Sequence, residues 1–344
     1  MLYDALLYDE LEDNLVQCKL CAHRCKISAG SRGICRVREN TAGKLYTRVY
    51  GNLISKNIDP IEKKPLYHFY PGSQSYSVAM PGCNFRCEWC QNWQISQMPR
   101  VMDLPHGSRF LPEEIVQEAN KSGCRSISYT YTEPTIFFEY TLETAKLAQD
   151  NGIKNVYVTN GFMTPEMLDL IHPYLDAANV DIKAFQDATY RDLMGGRLEP
   201  VLESCKLMKS YGVWLEITTL IVPGVNDDPK ELYELASFIL EFLGPETPWH
   251  LSRFFPHYKT VDRSPTNESI LYDTKNMAES IGLNHIYLGN VGGKDRTKCK
   301  ACGHELIQRG GFTIRLTGLN LEGACNRCGT ILDGVGIRGE TTSK

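Results

Sequence analysis

The chain has 344 residues, 42% hydrophobic and 23% charged, with a formal net charge of −4. Such a length can bury a large core, and the composition excludes long disorder, while the slight acidity offers no basic field for phosphates, so nucleic acid is not an expected partner. No run of 18 apolar residues occurs and the first 14 residues carry five acids, so neither a membrane span nor a secretory signal is read, and the expected compartment is the cytoplasm.

Thirteen cysteines are the main chemical signal. In a reducing compartment clustered thiols bind metal or do chemistry more often than they form disulfides. The first group, Cys18, Cys21, Cys25 and Cys35, lies in a stretch, residues 1–70, read as a small cysteine-rich metal-binding region. Four thiolates there could hold zinc or a [4Fe–4S] cluster, and spacing alone does not separate the two.

From residue 71 the pattern alternates strand-like and helix-like segments with short joints, as in a parallel α/β sheet or barrel. Strands are expected at Ser75–Met80, Ser126–Tyr131, Asn155–Thr159, Ala178–Ile182, Val213–Val222, Trp249–Phe255 and His285–Leu288. Helices are expected at Leu111–Ser122, Thr135–Asp150, Pro165–Tyr174, Glu199–Ser210, Pro229–Leu243 and Glu268–Ile281, several of them opened by proline and closed by glycine. Six β/α units fit a partial (β/α)6 TIM-like barrel over residues 71–293 better than a complete eight-fold one. In such a barrel the working groups sit at the carboxyl ends of strands, where Cys83, Glu133, Asn160, Lys183 and His257 fall.

The loop after the first of these strands carries Cys83, Cys87 and Cys90. A structural zinc site wants four closed ligands, and this loop has three. Three thiolates on a cubane leave one iron open to a further ligand. The last group, Cys299, Cys302, Cys325 and Cys328, forms two Cys-x2-Cys knuckles, each followed by glycine. Residues 294–344 therefore read as a zinc ribbon, closed by four thiolates and structural by default.

Cys83-Asn-Phe-Arg-Cys87-Glu-Trp-Cys90 resembles the loop of the radical S-adenosylmethionine superfamily, within it the pyruvate formate-lyase activating-enzyme type. The resemblance implies a [4Fe–4S] cluster, S-adenosylmethionine as cofactor, oxidoreductase-like chemistry through a 5′-deoxyadenosyl radical, and an electron donor such as flavodoxin or ferredoxin. It also implies site roles. Trp89 would pack near the adenine. Thr132 and Glu133, in Tyr131-Thr-Glu-Pro134 where the family has Gly-Gly-Glu-Pro, would meet the methionine ammonium. Asn160 follows the third strand, Lys183 of Asp181-Ile-Lys would meet the carboxylate, Glu216 a ribose hydroxyl, and His257 would stand near the cofactor.

The first cysteine string, with Gly33-Ile-Cys35-Arg-Val-Arg-Glu-Asn, is similar to the radical enzyme of the AmmeMemoRadiSam group. That likeness implies AMMECR-type and Memo-type partners. The substrate, small molecule or protein, is not encoded in any readable motif. Two other readings stand beside hydrogen abstraction from an unidentified substrate: a glycyl-radical enzyme activase, and a non-enzymatic iron–sulfur or zinc interaction protein.

Overall fold

The computed structural model describes residues 2–102, 107–293 and 295–339. Its centre is one eight-stranded sheet whose strands lie side by side in chain order. These are β1 (Ser55–Pro60), β2 (Gln74–Ala79), β3 (Ser126–Tyr129), β4 (Lys154–Thr159), β5 (Ala177–Asp181), β6 (Trp214–Ile221), β7 (Trp249–Arg253) and β8 (Ile286–Gly289). β1 runs antiparallel to β2, and every later pairing is parallel. Parallel neighbours require crossovers, and six helices supply them: α1 (Pro112–Lys121), α2 (Phe138–Asp150), α3 (Pro165–Ile171), α4 (Glu199–Ser210), α5 (Pro229–Phe238) and α6 (Glu268–Ile281). The result is an α/β protein with a central, mostly parallel sheet.

Local chemistry explains most boundaries. Proline opens α1, α3 and α5, where its missing N–H costs nothing. The Asp228 carboxylate accepts from the Lys230 and Glu231 amides at 3.0 Å, and Thr164 Oγ1 accepts from the Met167 amide at 3.3 Å. α6 stops at Gly282, whose φ of 115° few other residues adopt. The helix expected to Tyr174 ends at Ile171 and passes into a 3-10 turn holding Pro173, which has no amide to continue the α ladder.

The expected boundary at residue 70 is not where the sheet begins. β1 lies inside the stretch read as the cysteine-rich region, and its burial pattern, mostly exposed, hides it from a periodicity reading. The preceding segment folds as two small three-stranded sheets, and Val16, Leu20, Ile27 and Val37 join the same buried core as the central strands. It is therefore packed into the α/β body. The C-terminal segment keeps its own small core of Cys299, Leu306, Ile307, Leu319, Cys325, Leu332 and Ile337. There β9 (Asp295–Lys298), β10 (Glu305–Gly310) and β11 (Thr313–Leu316) form an antiparallel sheet; Lys294 and residues 340–344 of the expected ribbon lie outside the described residues.

Candidate active site at the carboxyl edge of the sheet

Because β2 to β6 run parallel, the segments that follow them share one edge, and there they border a cleft of about 1070 Å³. After β2 the chain turns at Gly82, φ 114°, where a Cβ would stand 2.8 Å from Val37 Cγ1. The thiol loop follows. Phe85 anchors it in a pocket so close that a Cβ on Gly196 would lie 2.4 Å from the ring. The Phe85 amide donates to Cys83 Sγ at 3.3 Å, and Cys90 Sγ lies 3.2 Å from Ser96 Oγ. Arg100 donates to the Cys83 carbonyl at 3.1 Å. Burial pushes the Cys83 thiol well up, and pushes Cys87 up to about 12 despite the opposing Lys183 ammonium. Such thiols become good ligands only when a metal displaces the proton.

Cys83, Cys87 and Cys90 all line the cleft, with Trp89, Thr132, Glu133, Asn160 and Lys183. Trp89 is buried and Thr132 donates to the Met80 carbonyl at 2.7 Å. Glu133 is buried, and four donors meet its carboxylate: the Thr135 amide at 3.1 Å, Thr135 Oγ1 at 2.6 Å, Thr159 Oγ1 at 2.7 Å and the Asn160 amide at 2.9 Å. It thus caps the turn after β3 and ties that turn to the end of β4. Burial raises its pKa and these bonds oppose the rise. Asn160 donates to Asn84 Oδ1 at 2.7 Å inside the thiol loop. Lys183 Nζ sits 2.7 Å from Asp181; burial alone would lower its pKa, but the Asp181 carboxylate outweighs that and it is raised.

Two expected contacts fall elsewhere. Glu216, read as a ribose partner, is absent from the cleft wall. Its carboxylate is consumed by the Tyr67 and His68 amides at 3.0 and 2.8 Å, Trp214 Nε1 at 3.1 Å and His250 Nε2 at 2.7 Å. It lies early in β6, away from the working edge, and fastens the segment that links β1 to β2. His257 also lies outside the cleft wall; its Nε2 meets the carbonyl of Gln91, just after the thiol loop, at 3.2 Å. Sequence reasoning passed over Asn84, Ser96 and Arg100, which hold the loop; Asn84 lies inside the motif itself and was the one within reach.

Among the described residues these three thiols converge with no His, Asp, Glu or further Cys into a closed single-ion site. Of the described histidines, His23 meets the Asn84 carbonyl, His250 meets Glu216, and His68 meets the Asp333 carbonyl and the Tyr287 hydroxyl; His106 lies outside the described residues. The donor set is three thiolates on a large cleft, which fits a cubane with one iron left open. The Radical SAM superfamily model matches residues 77–236. Residues 77–236 are a radical SAM domain. Radical S-adenosylmethionine enzymes use a [4Fe–4S] cluster and S-adenosylmethionine, and the loop and cleft suit both.

Relatives agree. An uncharacterized protein of Methanocaldococcus jannaschii is 45% identical over 96% of this chain and 98% of its own length. The pyruvate formate-lyase-activating enzyme of Clostridium pasteurianum is 23% identical over 47% of this chain and 68% of its own. Among solved structures, a radical SAM methyltransferase from Sphaerobacter thermophilus superposes with a TM-score of 0.50 at 16% identity, covering 64% of this chain and 67% of that one. At that identity the likeness concerns the fold.

The C-terminal thiols behave differently. Cys299, Cys302, Cys325 and Cys328 Sγ all lie within 4.8 Å of one another, with Cys299–Cys328 at 3.5 Å and Cys302–Cys325 at 3.7 Å. Each knuckle turns at its glycine, Gly303 at φ 69° and Gly329 at φ 78°. Four convergent sulfurs can bind one tetrahedral metal ion.

Proposed function

We propose that this protein is a radical S-adenosylmethionine enzyme that abstracts hydrogen from an unidentified substrate, held in a partial barrel formed by the central sheet. The observation that carries the reading is the three-thiol loop facing the cleft, which no His, Asp, Glu or further Cys among the described residues closes into a single-ion site. When bound, the cluster would supply the electron that cleaves S-adenosylmethionine to methionine and a 5′-deoxyadenosyl radical. Cys83, Cys87 and Cys90 hold the cluster, with the Phe85 amide donating to Cys83 and Ser96 Oγ in contact with Cys90. Lys183 binds the methionine carboxylate, Glu133 and the backbone at Thr132 face the ammonium, Asn160 fixes the loop, and Trp89 packs against the adenine.

The four convergent C-terminal thiols hold structural zinc in this reading. A flavodoxin- or ferredoxin-class donor supplies the electron. The chain is placed in the AmmeMemoRadiSam group, with AMMECR-type and Memo-type proteins as partners and a cytoplasmic location. No described helix is long and apolar enough to cross a membrane.

The test is anaerobic reconstitution, reduction with dithionite and addition of S-adenosylmethionine. 5′-Deoxyadenosine and methionine are expected from wild type and not from Cys87→Ala. A protein that keeps its iron and sulfide yet forms neither product would refute the proposal. A glycyl-radical activase is the alternative, suggested by the likeness to the Clostridium activating enzyme. It predicts a glycyl doublet in electron paramagnetic resonance when a partner protein is added.

A further inference from the structure

The thiols at the amino end present a third geometry. Cys18, Cys21, Cys25 and Cys35 line one small cavity, together with Leu20, Ile27 and Arg38 among others. They surround a common space, as the ribbon thiols do, yet they do not form a set whose sulfurs all lie within 4.8 Å of one another. One tetrahedral ion pulls four sulfurs into mutual contact, because every sulfur touches the same atom. A cubane holds its thiolates farther apart, because each binds a different iron. The same chain therefore contains its own internal comparison: contracted thiols in the ribbon, spread thiols here.

A second observation points into the same cavity. Arg38 is 1% exposed, and its Nη1 donates to Cys18 Sγ at 3.4 Å and to the Leu6 carbonyl at 2.9 Å. Nη2 pairs with Glu139. The Nε–H shares an edge with Nη2, and both it and Glu139 Oε2 lack a partner among the described residues, so that edge faces the carboxylate. The Nη1 side is the one turned to the thiols, and it sets a buried cation against the sulfurs of the cavity. Such a donor suits the negative charge that thiolates and sulfides bring.

The loops are shaped around the sulfurs. Arg24, just before Cys25, and Arg36, just after Cys35, both take left-handed backbone conformations, at φ 45° and 66°. That geometry is strained for a side-chain-bearing residue and persists where the surroundings impose it. At Gly33 a Cβ would stand 3.3 Å from Ile27 and within 3.8 and 3.9 Å of the Cys25 and Cys35 sulfurs.

We infer that Cys18, Cys21, Cys25 and Cys35 hold a second [4Fe–4S] cluster, closed by four thiolates, with Arg38 donating from Nη1 to the Cys18 sulfur. It stands directly behind the radical loop. His23 Nε2 lies 2.9 Å from the Asn84 carbonyl, the Ala22 amide donates to the Phe162 carbonyl at 3.4 Å, and Gly82 packs on the backbone of Cys35. The site does not depend on the radical reading, since its four ligands and its arginine are separate residues.

The experiment uses the full chain carrying Cys83→Ser, Cys87→Ser and Cys90→Ser together, reconstituted anaerobically with ferrous iron and sulfide. About four iron and about four sulfide per chain should remain. After reduction, an electron paramagnetic resonance signal of a [4Fe–4S] cluster should be present and unmoved by S-adenosylmethionine. A preparation of this variant with no iron and about two zinc per chain, or with one iron and no sulfide, would overturn the inference. The reciprocal variant, Cys18→Ser with Cys21→Ser, should fall from about eight iron to about four and keep the S-adenosylmethionine-responsive signal. If the reciprocal variant does not fold, the triple variant decides alone. Failure of the radical reading would show instead as intact iron at both sites with no cofactor cleavage.

Discussion

The Tyr131 hydroxyl donates to the Asp59 carboxylate, joining the turn after β3 to the antiparallel edge strand β1. Lys63 and Lys64 reach the same carboxylate at 2.8 and 2.7 Å, and Lys64 Nζ lies 4.4 Å over the Tyr131 ring. Tyr131 itself has φ 64°, the left-handed conformation that glycine adopts freely. Its carbonyl accepts from Asn92 Nδ2 at 2.8 Å, just beyond the thiol loop. The tyrosine thus keeps a glycine-like turn in place through its ring and hydroxyl.

Removing that hydroxyl should loosen the turn without emptying the site. Tyr131→Phe loses a hydrogen bond to a charged acceptor, a change worth roughly 1.5–3 kcal/mol. Urea unfolding should show a lower midpoint with an unchanged slope, and iron content should stay at the wild-type level. A midpoint equal to wild type would show that the contact carries no stability.

Acid should act on the same network. Burial alone would raise the Asp59 pKa, but Lys63, Lys64 and Tyr131 together hold it well below the usual carboxylate range. The folded state therefore binds this proton less readily than the unfolded state. The stabilisation is complete above the ordinary aspartate pKa and is lost as pH falls through the folded value. Wild type should thus lose more stability on acidification below about pH 4 than Asp59→Asn does. Parallel curves for the two proteins in that range would contradict the assignment.

Much of this architecture could be read from the sequence, and the failures have physical causes. The strand–helix alternation was legible because parallel strands buried on both faces are nearly continuous apolar runs, as in β4, where the successive Val156 and Tyr157 are both buried. β1 was not, because its outward residues Lys56, Asn57 and Ile58 are exposed and give no pattern. Cys83, Cys87 and Cys90 declared themselves by spacing, which reports ligands close in the chain. Glu216 misled because its partners, Tyr67, His68 and His250, come from distant segments. A carboxylate on a strand carries no mark of which edge it serves or how many donors already surround it.

The Arg38–Glu139 pair offers a sharper energetic test. Both side chains are 1% exposed, and Glu139 also accepts from the Leu6 amide at 2.8 Å. Taking away only the cation leaves a buried carboxylate unpaired, which costs roughly 3–5 kcal/mol. Arg38→Met should be that much less stable in chemical denaturation, whereas Arg38→Met with Glu139→Leu should regain only part of the loss, because the Leu6 amide and carbonyl and the Cys18 sulfur stay without these partners. A single variant as stable as wild type would mean that the pair is already wet.

Metal removal should be felt locally at the C-terminus. The ribbon closes on its own small core, and Arg309 of β10 reaches out to donate to the Tyr67 carbonyl at 2.7 Å. Extracting the ion with a strong chelator should release about one zinc per chain. Hydrogen exchange should then speed up at β9, β10 and β11 and spare β3 to β6. Exchange that stays slow in the ribbon after the metal has gone would show that its seven-residue core suffices alone.

Lys183 bears most directly on the cofactor. It follows β5, lines the cleft, and is held as a cation by the Asp181 carboxylate although it is half-buried. A cation kept charged at that depth suits a carboxylate ligand, because a charge-assisted bond in a partly dry cleft is stronger than one in water. Lys183→Met preserves length and apolar contact while deleting the charge. Binding of S-adenosylmethionine to the reconstituted protein should weaken roughly 10–100-fold, the equivalent of one charged hydrogen bond. Iron content should be unchanged, since Lys183 supplies no ligand atom. Titration calorimetry under anaerobic conditions separates the two. Equal affinities for the variant and wild type would show that Asp181 alone is the partner of this lysine, and that the methionine carboxylate is read by some other group.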